Sequence, residues 1–265
     1  MSVPGDPIAL GRTAEIHAWG DGQVLKLFYA WFEPESIEFE QRMGRAVHAS
    51  GLPVPAVGEI VRVDGRAGLI YERVDGVSMW SILPKKPWLL FRFARQTAEL
   101  HAGMHANATR PEIPAQRRRL EYKLNHAETL PANLKEAALS ALACLPDGEA
   151  ICHGDFHPDN ILFTPDRAVV IDWIDASLGN PLADVARTSI ILLGAAAAQV
   201  PNRLLAAFVR LFHAIYLRHY FRLRPGGEAE YRRWLPVVAA ARLSENIAEL
   251  EGWLVTQVQE GLGTS

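Results

Sequence analysis

Asp155, Asn160 and Asp172 place a carboxylate, a carboxamide and a second carboxylate close together in the chain. The first two sit in His153-Gly154-Asp155-Phe156-His157-Pro158-Asp159-Asn160, between the apolar runs Ala150-Ile151-Cys152 and Ile161-Leu162-Phe163. The third ends the run Val169-Val170-Ile171, ahead of Trp173. A strand, loop, strand, turn, strand order is expected to gather all three at one edge. Oxygen donors converging on a point suit a hard cation such as Mg²⁺, which fills the rest of its shell with water and phosphate oxygens. A further carboxylate nearby can accept or orient a hydroxyl proton.

The elements that must hold these residues are β-rich first and helical later. Ile8 to Leu10, Ala14 to Trp19 and Gln23 to Tyr29 are β-prone, with Gly20-Asp21-Gly22 as a turn. Glu33-Pro34-Glu35-Ser36 opens a helix, with Phe39, Met43, Ala46 and Val47 at helical spacing, and Gly51 to Pro55 ends it. Val57 to Val63 and Arg66 to Tyr71 form a hairpin around Asp64-Gly65. Val74-Asp75-Gly76 breaks the pattern and marks a boundary, giving lobes 1–75 and 76–265. Helices are expected over Pro87 to His105, Glu112 to Glu128 and Ala132 to Cys144, and again from Pro181, with breaks near Pro201 and at Pro225-Gly226-Gly227. By periodicity alone the class is α+β, strands first.

Composition narrows the function classes. The 265 residues are 49% hydrophobic and 22% charged with net charge −3, which gives no broad basic field for nucleic acid. The start, Met1 to Asp6, has neither a basic n-region nor an apolar h-region, so no signal peptide is expected. The apolar run Ile190 to Val200 is too short for a bilayer and reads as a buried helix, so no membrane partner is expected. Cys144 and Cys152 give no disulfide or zinc spacing and read as buried thiols, with the cytoplasm as the simplest compartment.

Lys26, within Val24-Leu25-Lys26-Leu27-Phe28, stands out because no other lysine precedes Lys85. An ammonium in an apolar strand is costly unless paired, and as a point charge it suits phosphate oxygens. The alternative is an outward-facing residue on an alternating strand. Its partner is read as Glu40, on the helical face of Met43 and Val47, with Glu38 as the rival.

The order His153, Asp155, Asn160, then Ile171-Asp172-Trp173, resembles the aminoglycoside phosphotransferase and choline-kinase-like family of small-molecule kinases. The resemblance implies a protein-kinase-like two-lobe fold, with a β-rich N-lobe and a mainly helical C-lobe. It implies transfer of the γ-phosphoryl of ATP or GTP to a hydroxyl of a small molecule, with Asp155 as base and Asn160 and Asp172 as Mg²⁺ ligands. A nucleotide-binding regulator without transfer activity is the alternative. Lys26 matches the lysine that contacts the α- and β-phosphates. Thr13, in Gly11-Arg12-Thr13-Ala14-Glu15, occupies the place of the phosphate-covering loop, and a plain hairpin turn is the other reading there. The hinge is Tyr71 to Val74, where the Glu72 carbonyl and the Val74 amide would meet the adenine edge. Tyr71 is either a gatekeeper that favours GTP or a packing residue. His157 either meets the γ-phosphate or packs the loop, and His153 holds the loop by hydrogen bonds.

Three further features bear on the site. Asp184 begins a helix and is read as an anchor for the loop. His101 and His105 have i, i+4 spacing that can bind metal, but no third ligand accompanies them in sequence, so they read as core residues. From Pro201 to Ser265 there are six Glu, eight Arg and no Asp. That argues against a polycationic aminoglycoside as acceptor and leaves sugars, amino alcohols, nucleosides and other small hydroxyl compounds open. Arg242, Glu245 and Glu249 either line the acceptor pocket or form a surface ion-pair stripe.

Overall fold

The strands form where apolar and polar residues alternate between glycine turns. In the computed structural model, which describes residues 5–200 and 202–263, β1 (Ala9–Leu10), β2 (Ala14–Trp19), β3 (Gln23–Phe28), β4 (Val57–Val63) and β5 (Arg66–Glu72) make one antiparallel sheet. Its order is β1-β2-β3-β5-β4. Gly20 and Gly22 take positive φ in the β2–β3 turn, and Asp64 (φ 49°) with Gly65 (φ 78°) closes the β4–β5 hairpin. Two consecutive left-handed residues give the turn twist that matches paired strands. Met1 to Pro4 and Pro201, the latter at an expected helix break, lie outside the described residues.

Helix α1 (Pro34–His48) starts on Pro34 and buries Ile37, Glu40, Met43 and Val47. The buried stripe differs from expectation: Ile37 is inside while Phe39 and Ala46 are only partly covered. Ala14, Phe28, Ile37 and Leu69 form the core between sheet and helix, with Tyr71 packed against it.

The chain divides into two compact units. The first takes the described residues up to Met79 together with Asp159–Ile174. That second segment returns because β8 (Ile161–Phe163) pairs with both β6 (Val77–Ser78) and β9 (Ala168–Val170), while the Val170 amide donates to the Pro53 carbonyl at 2.9 Å. The expected boundary after residue 75 falls close to the end of the first segment, and the return of 159–174 is an addition the local pattern does not contain.

The second unit is mainly helical. Following the short α2 (Met79–Ile82), it holds α3 (Leu90–His105), α4 (Gln116–Asn125), α5 (Ala132–Ala143), α6 (Pro181–Gly194), α7 (Arg203–Leu223), α8 (Glu228–Arg242) and α9 (Ala248–Leu262). The strand pair β7 (Ala150–Cys152) and β10 (Ser177–Gly179) lies within it. Helix α4 is shorter than the expected 112–128, because Pro111 and Pro114 precede it and the Pro114 carbonyl accepts from Leu178 instead of starting a helix. Cys152 is buried as expected, but Cys144 is exposed, since it caps the end of α5 on the solvent side. The stretch Pro181–Gln199 is long and apolar enough to cross a membrane by length and composition, and 67% of its most apolar window is buried inside the protein.

Candidate functional site

The first unit brings together three side chains named from sequence. Lys26 stands on β3 opposite Ile16 and Leu69, and its Nζ donates to Glu40 Oε1 at 2.6 Å. Tyr71 donates its hydroxyl to the same oxygen at 2.7 Å. Glu40 is 4% exposed, and its second oxygen is buried without a hydrogen bond, whereas Glu38 points to solvent. A partly buried ammonium and a buried carboxylate compensate each other's desolvation only when paired as closely as this. Burial, then the Glu40 charge and hydrogen bond, push the Tyr71 phenol well above its usual pKa. Tyr71 therefore stays a neutral donor that fixes the orientation of Glu40.

Asn160 and Asp172 lie at the open end of the β8–β9 hairpin. The Ile171 amide donates to the Asn160 carbonyl at 3.0 Å, which sets Asp172 next to Asn160 across the pair. Asp172 is exposed and has φ 64°. Left-handed backbone is unusual for a residue with a Cβ, although Asp tolerates it better than most, and such conformations gather at functional positions. Trp173 is buried and donates Nε1–H to the Val170 carbonyl at 3.0 Å, pinning the turn from behind. Asp159 accepts from the Ser78 hydroxyl at 2.7 Å, as suits a turn residue.

The remaining first-unit residues keep ordinary backbone roles. The Gly11 amide donates to the Ala14 carbonyl at 2.8 Å and the Tyr29 amide to the Thr13 carbonyl at 3.0 Å, so the loop containing Thr13 is a closed turn. Glu72 accepts from the Ala56 amide at 3.0 Å through Oε2 and faces Arg167 at 3.7 Å. The Val74 carbonyl accepts from Gly76 at 2.9 Å.

The second unit holds the other half of the loop, including Asp155 and His157. Its centre is Asp184, in the first turn of α6 and fully buried. Asp184 accepts the His153 amide at 2.7 Å and the Gly154 amide at 2.8 Å. It also faces Nε2 of His101 at 3.0 Å and of His105 at 3.2 Å. The far nitrogens of those rings meet the hydroxyls of Tyr216 (2.7 Å) and Tyr220 (2.8 Å) on α7. Asp184 is thus the third partner that the sequence lacks beside the two histidines, and its distance along the chain explains why. The set has the composition of a metal site. Each of these ring nitrogens and both carboxylate oxygens are instead engaged in hydrogen bonds, so the cluster reads as a closed network that anchors the loop. Burial would raise the Asp184 pKa, but the hydrogen bonds and charges of the two histidines hold it well below the usual range. Burial, and then the neighbouring His105, push His101 down to about 4.

From that anchor the loop is shaped by Gly154, at φ 80°, where a Cβ would fall 2.5 Å from the Asp175 carbonyl. His153 accepts the Asp155 amide through Nδ1 at 3.2 Å, a loop-holding contact. Asp155 keeps 31% of its side chain exposed, with His157 Nε2 at 3.5 Å and Arg187 Nη2 at 3.5 Å. Burial works to raise its pKa; the His157 hydrogen bond and the Arg187 charge outweigh it, so the carboxylate stays ionised far below neutrality. Arg187 also donates to the Gly154 carbonyl (2.9 Å) and to Glu245 (2.5 Å). Asp175 pairs with Arg119 (2.5 Å) and Lys123 (3.1 Å). Arg187, Asp175, Arg119 and Lys123 were not singled out by spacing; the i, i+4 step from Arg119 to Lys123 was the available signal. Of the three residues named as acceptor-pocket candidates, Arg242 lines this region, Glu245 pairs with Arg187 and Arg242, and Glu249 is exposed.

This architecture recurs in known proteins. A thermostable aminoglycoside phosphotransferase mutant in its apo form has a TM-score of 0.63 at 18% identity, over 98% of this chain and 94% of that one. A choline/ethanolamine kinase family protein from Mesorhizobium loti gives 0.61 at 18% identity, over 100% and 89%. An ADP-bound aminoglycoside phosphotransferase gives 0.61 at 16%, over 99% and 93%. In sequence, acyl-CoA dehydrogenase family member 11 of Gallus gallus is 28% identical over 175 residues, which is 57% of this chain and 22% of that protein. Member 10 of Mus musculus is 27% identical over 173 residues, 57% of this chain and 16% of that protein, so this chain spans a minor part of both relatives. The protein-kinase-like fold expected from the loop motif is the fold observed, with the antiparallel sheet first and the helices after it. The phosphotransferase enzyme family matches residues 12–236, and the chain belongs to it.

Proposed function

We propose that this protein transfers the γ-phosphoryl group of ATP, with GTP as the rival donor, to a hydroxyl of a small molecule in a Mg²⁺-dependent reaction. The observation that carries this reading is the 2.6 Å Lys26–Glu40 pair, because kinases of this architecture depend on a β3 lysine held by a helix glutamate. In this reading Lys26 meets the α- and β-phosphates, and Glu72 and Val74 offer their backbone to the base. Asn160 and Asp172 bring two residues with hard oxygen donors to the same end of the β8–β9 pair, which suits Mg²⁺. When bound there, the ion would neutralise charge on the β- and γ-phosphates. The resemblance to an ADP-bound phosphotransferase supports an adenine nucleotide.

Asp155 receives the acceptor hydroxyl. Its depressed pKa makes it a weak base at neutral pH but a permanently ionised acceptor of a hydrogen bond. That suits a loose transition state, in which the nucleophile needs orientation more than early deprotonation. His157 and Arg187 hold the carboxylate in place.

The test is nucleotide turnover with Mg²⁺ and either ATP or GTP, across sugars, amino alcohols, nucleosides, hydroxy acids and aminoglycosides, with calorimetric titration of both nucleotides. Acceptor-stimulated, EDTA-sensitive release of the diphosphate is expected. Nucleotide binding with no transfer to any acceptor would favour a regulator, and absence of both binding and turnover would overturn the kinase reading.

A further inference from the structure

Within the second unit a small cleft of about 50 Å³ opens beside the Arg187 side chain that holds Asp155. Four cationic side chains line it: Arg119, Lys123, Arg187 and Arg242. Among the described residues three carboxylates pair with them: Asp155 with Arg187, and two that are shared. Asp175 is shared by Arg119 and Lys123, and Glu245 by Arg187, Lys123 (3.9 Å) and Arg242 (3.4 Å). Asp184 also borders the cleft, but its oxygens are engaged by two backbone amides and two histidines.

Arg242 is the most deeply buried of the four cations. It is 6% exposed, and its Nη1 donates to the Ile190 carbonyl at 3.0 Å. Its Nε is buried without a hydrogen bond, the nearby Glu245 oxygen lying outside good geometry. Burial, then the like charge of Arg187, lowers its pKa to about 10. A buried guanidinium N–H without a well-formed hydrogen bond is a standing cost even beside the Glu245 charge, and a planar fork suits carboxylate and phosphate oxygens.

We propose that this cleft binds an oxyanion, a carboxylate or phosphate, carried on the same acceptor molecule whose hydroxyl meets Asp155. The inference rests on the phosphotransferase reading above and names the acceptor class for that site. The cleft volume suits one such group, since a single water needs about 10–15 Å³ on the same measure. Arg242 and Lys123 take the oxyanion, while Glu245 and Asp175 hold the cations apart and ready. The same arrangement disfavours an ammonium group at that position, which would meet the like charges of Arg242 and Lys123.

Glycerol, glycerate, glycerol 3-phosphate and choline test the idea, as they present a hydroxyl beside a neutral, carboxylate, phosphate or cationic head. With the Mg²⁺–ADP-loaded protein, calorimetry is expected to detect glycerate or glycerol 3-phosphate at up to about 10 mM, and neither glycerol nor choline. Arg242→Gln should weaken the anion that binds by about tenfold or more, and Lys123→Gln, at a partly exposed position, provides a second variant should the first fail to fold. Preference for one anion identifies carboxylate or phosphate as the natural head group. Binding of choline or glycerol as tight as either anion, unchanged anion binding in a folded Arg242 or Lys123 variant, or no binding of either anion would overturn the proposal. Transfer assays keep the two readings apart. A wild-type protein that phosphorylates neutral or cationic acceptors best sinks the oxyanion site alone, whereas one without turnover on any acceptor sinks the kinase reading.

Discussion

Asp184 and Asp155 belong to the same unit, and both have a pKa driven below the ordinary carboxylate range against the effect of burial. They differ in access. Asp184 is sealed, with its oxygens taken by two backbone amides and two imidazoles, while Asp155 keeps 31% of its side chain in contact with solvent. A depressed pKa therefore does not mark chemistry by itself. What separates an anchor from a reactive group is whether a substrate atom can reach it. The anchor serves the other residue: Asp184 fixes the amides of His153 and Gly154, and these set where Asp155 begins.

Replacing Asp155 should break the comparison most sharply. Asp155→Asn is expected to lower kcat by about 10²–10⁴-fold while nucleotide affinity and melting temperature stay near wild type. Near-wild-type kcat on a true acceptor would remove Asp155 from its role. Asp184→Ala should do the reverse in kind. It strips four donors of their acceptor in a dry core, so a loss of about 3–5 kcal/mol of stability is expected, read as a lower urea midpoint. An unchanged midpoint would show that the network is not an anchor.

The pH dependence sharpens the same contrast. His101 has a folded pKa of about 4 against about 6.5 unfolded. Between those values the unfolded chain takes up a proton that the folded one does not, so stability falls as pH drops from 6.5 towards 4. His101 alone should contribute a loss of about 2 kcal/mol between pH 7 and pH 5. His105 and His213 are lowered in the same direction, chiefly by burial. Melting temperatures measured at pH 7 and pH 5 should therefore differ, and equal values would mean that the rings are already charged in the core.

Legibility from sequence followed the range of the interactions. Strand β2 was readable because β-prone residues and flanking glycines are local signals, and Asp64-Gly65 announced its turn for the same reason. Lys26 and Glu40 were readable because an ammonium in an apolar strand demands a partner and the next helix offered one. Asp159–Ile174 joining the first unit was not, since strand pairing with residues far earlier in the chain leaves no trace in local periodicity. The same holds for Asp184 between His101 and His105, whose meeting depends on α3 and α6 packing in one core. The cationic cleft lay between these cases: Arg119 and Lys123 have visible helical spacing, but spacing does not tell which way a face points.

The left-handed backbone at Asp172 also limits which residues that position accepts. Before any cation is considered, steric contacts favour Gly, Asn and Asp there over every branched or bulky side chain. Codons drifting away from Asp therefore meet a folding filter as well as a chemical one. For the experimenter, Asp172→Asn isolates the loss of charge, whereas Asp172→Val would mix it with a distorted turn.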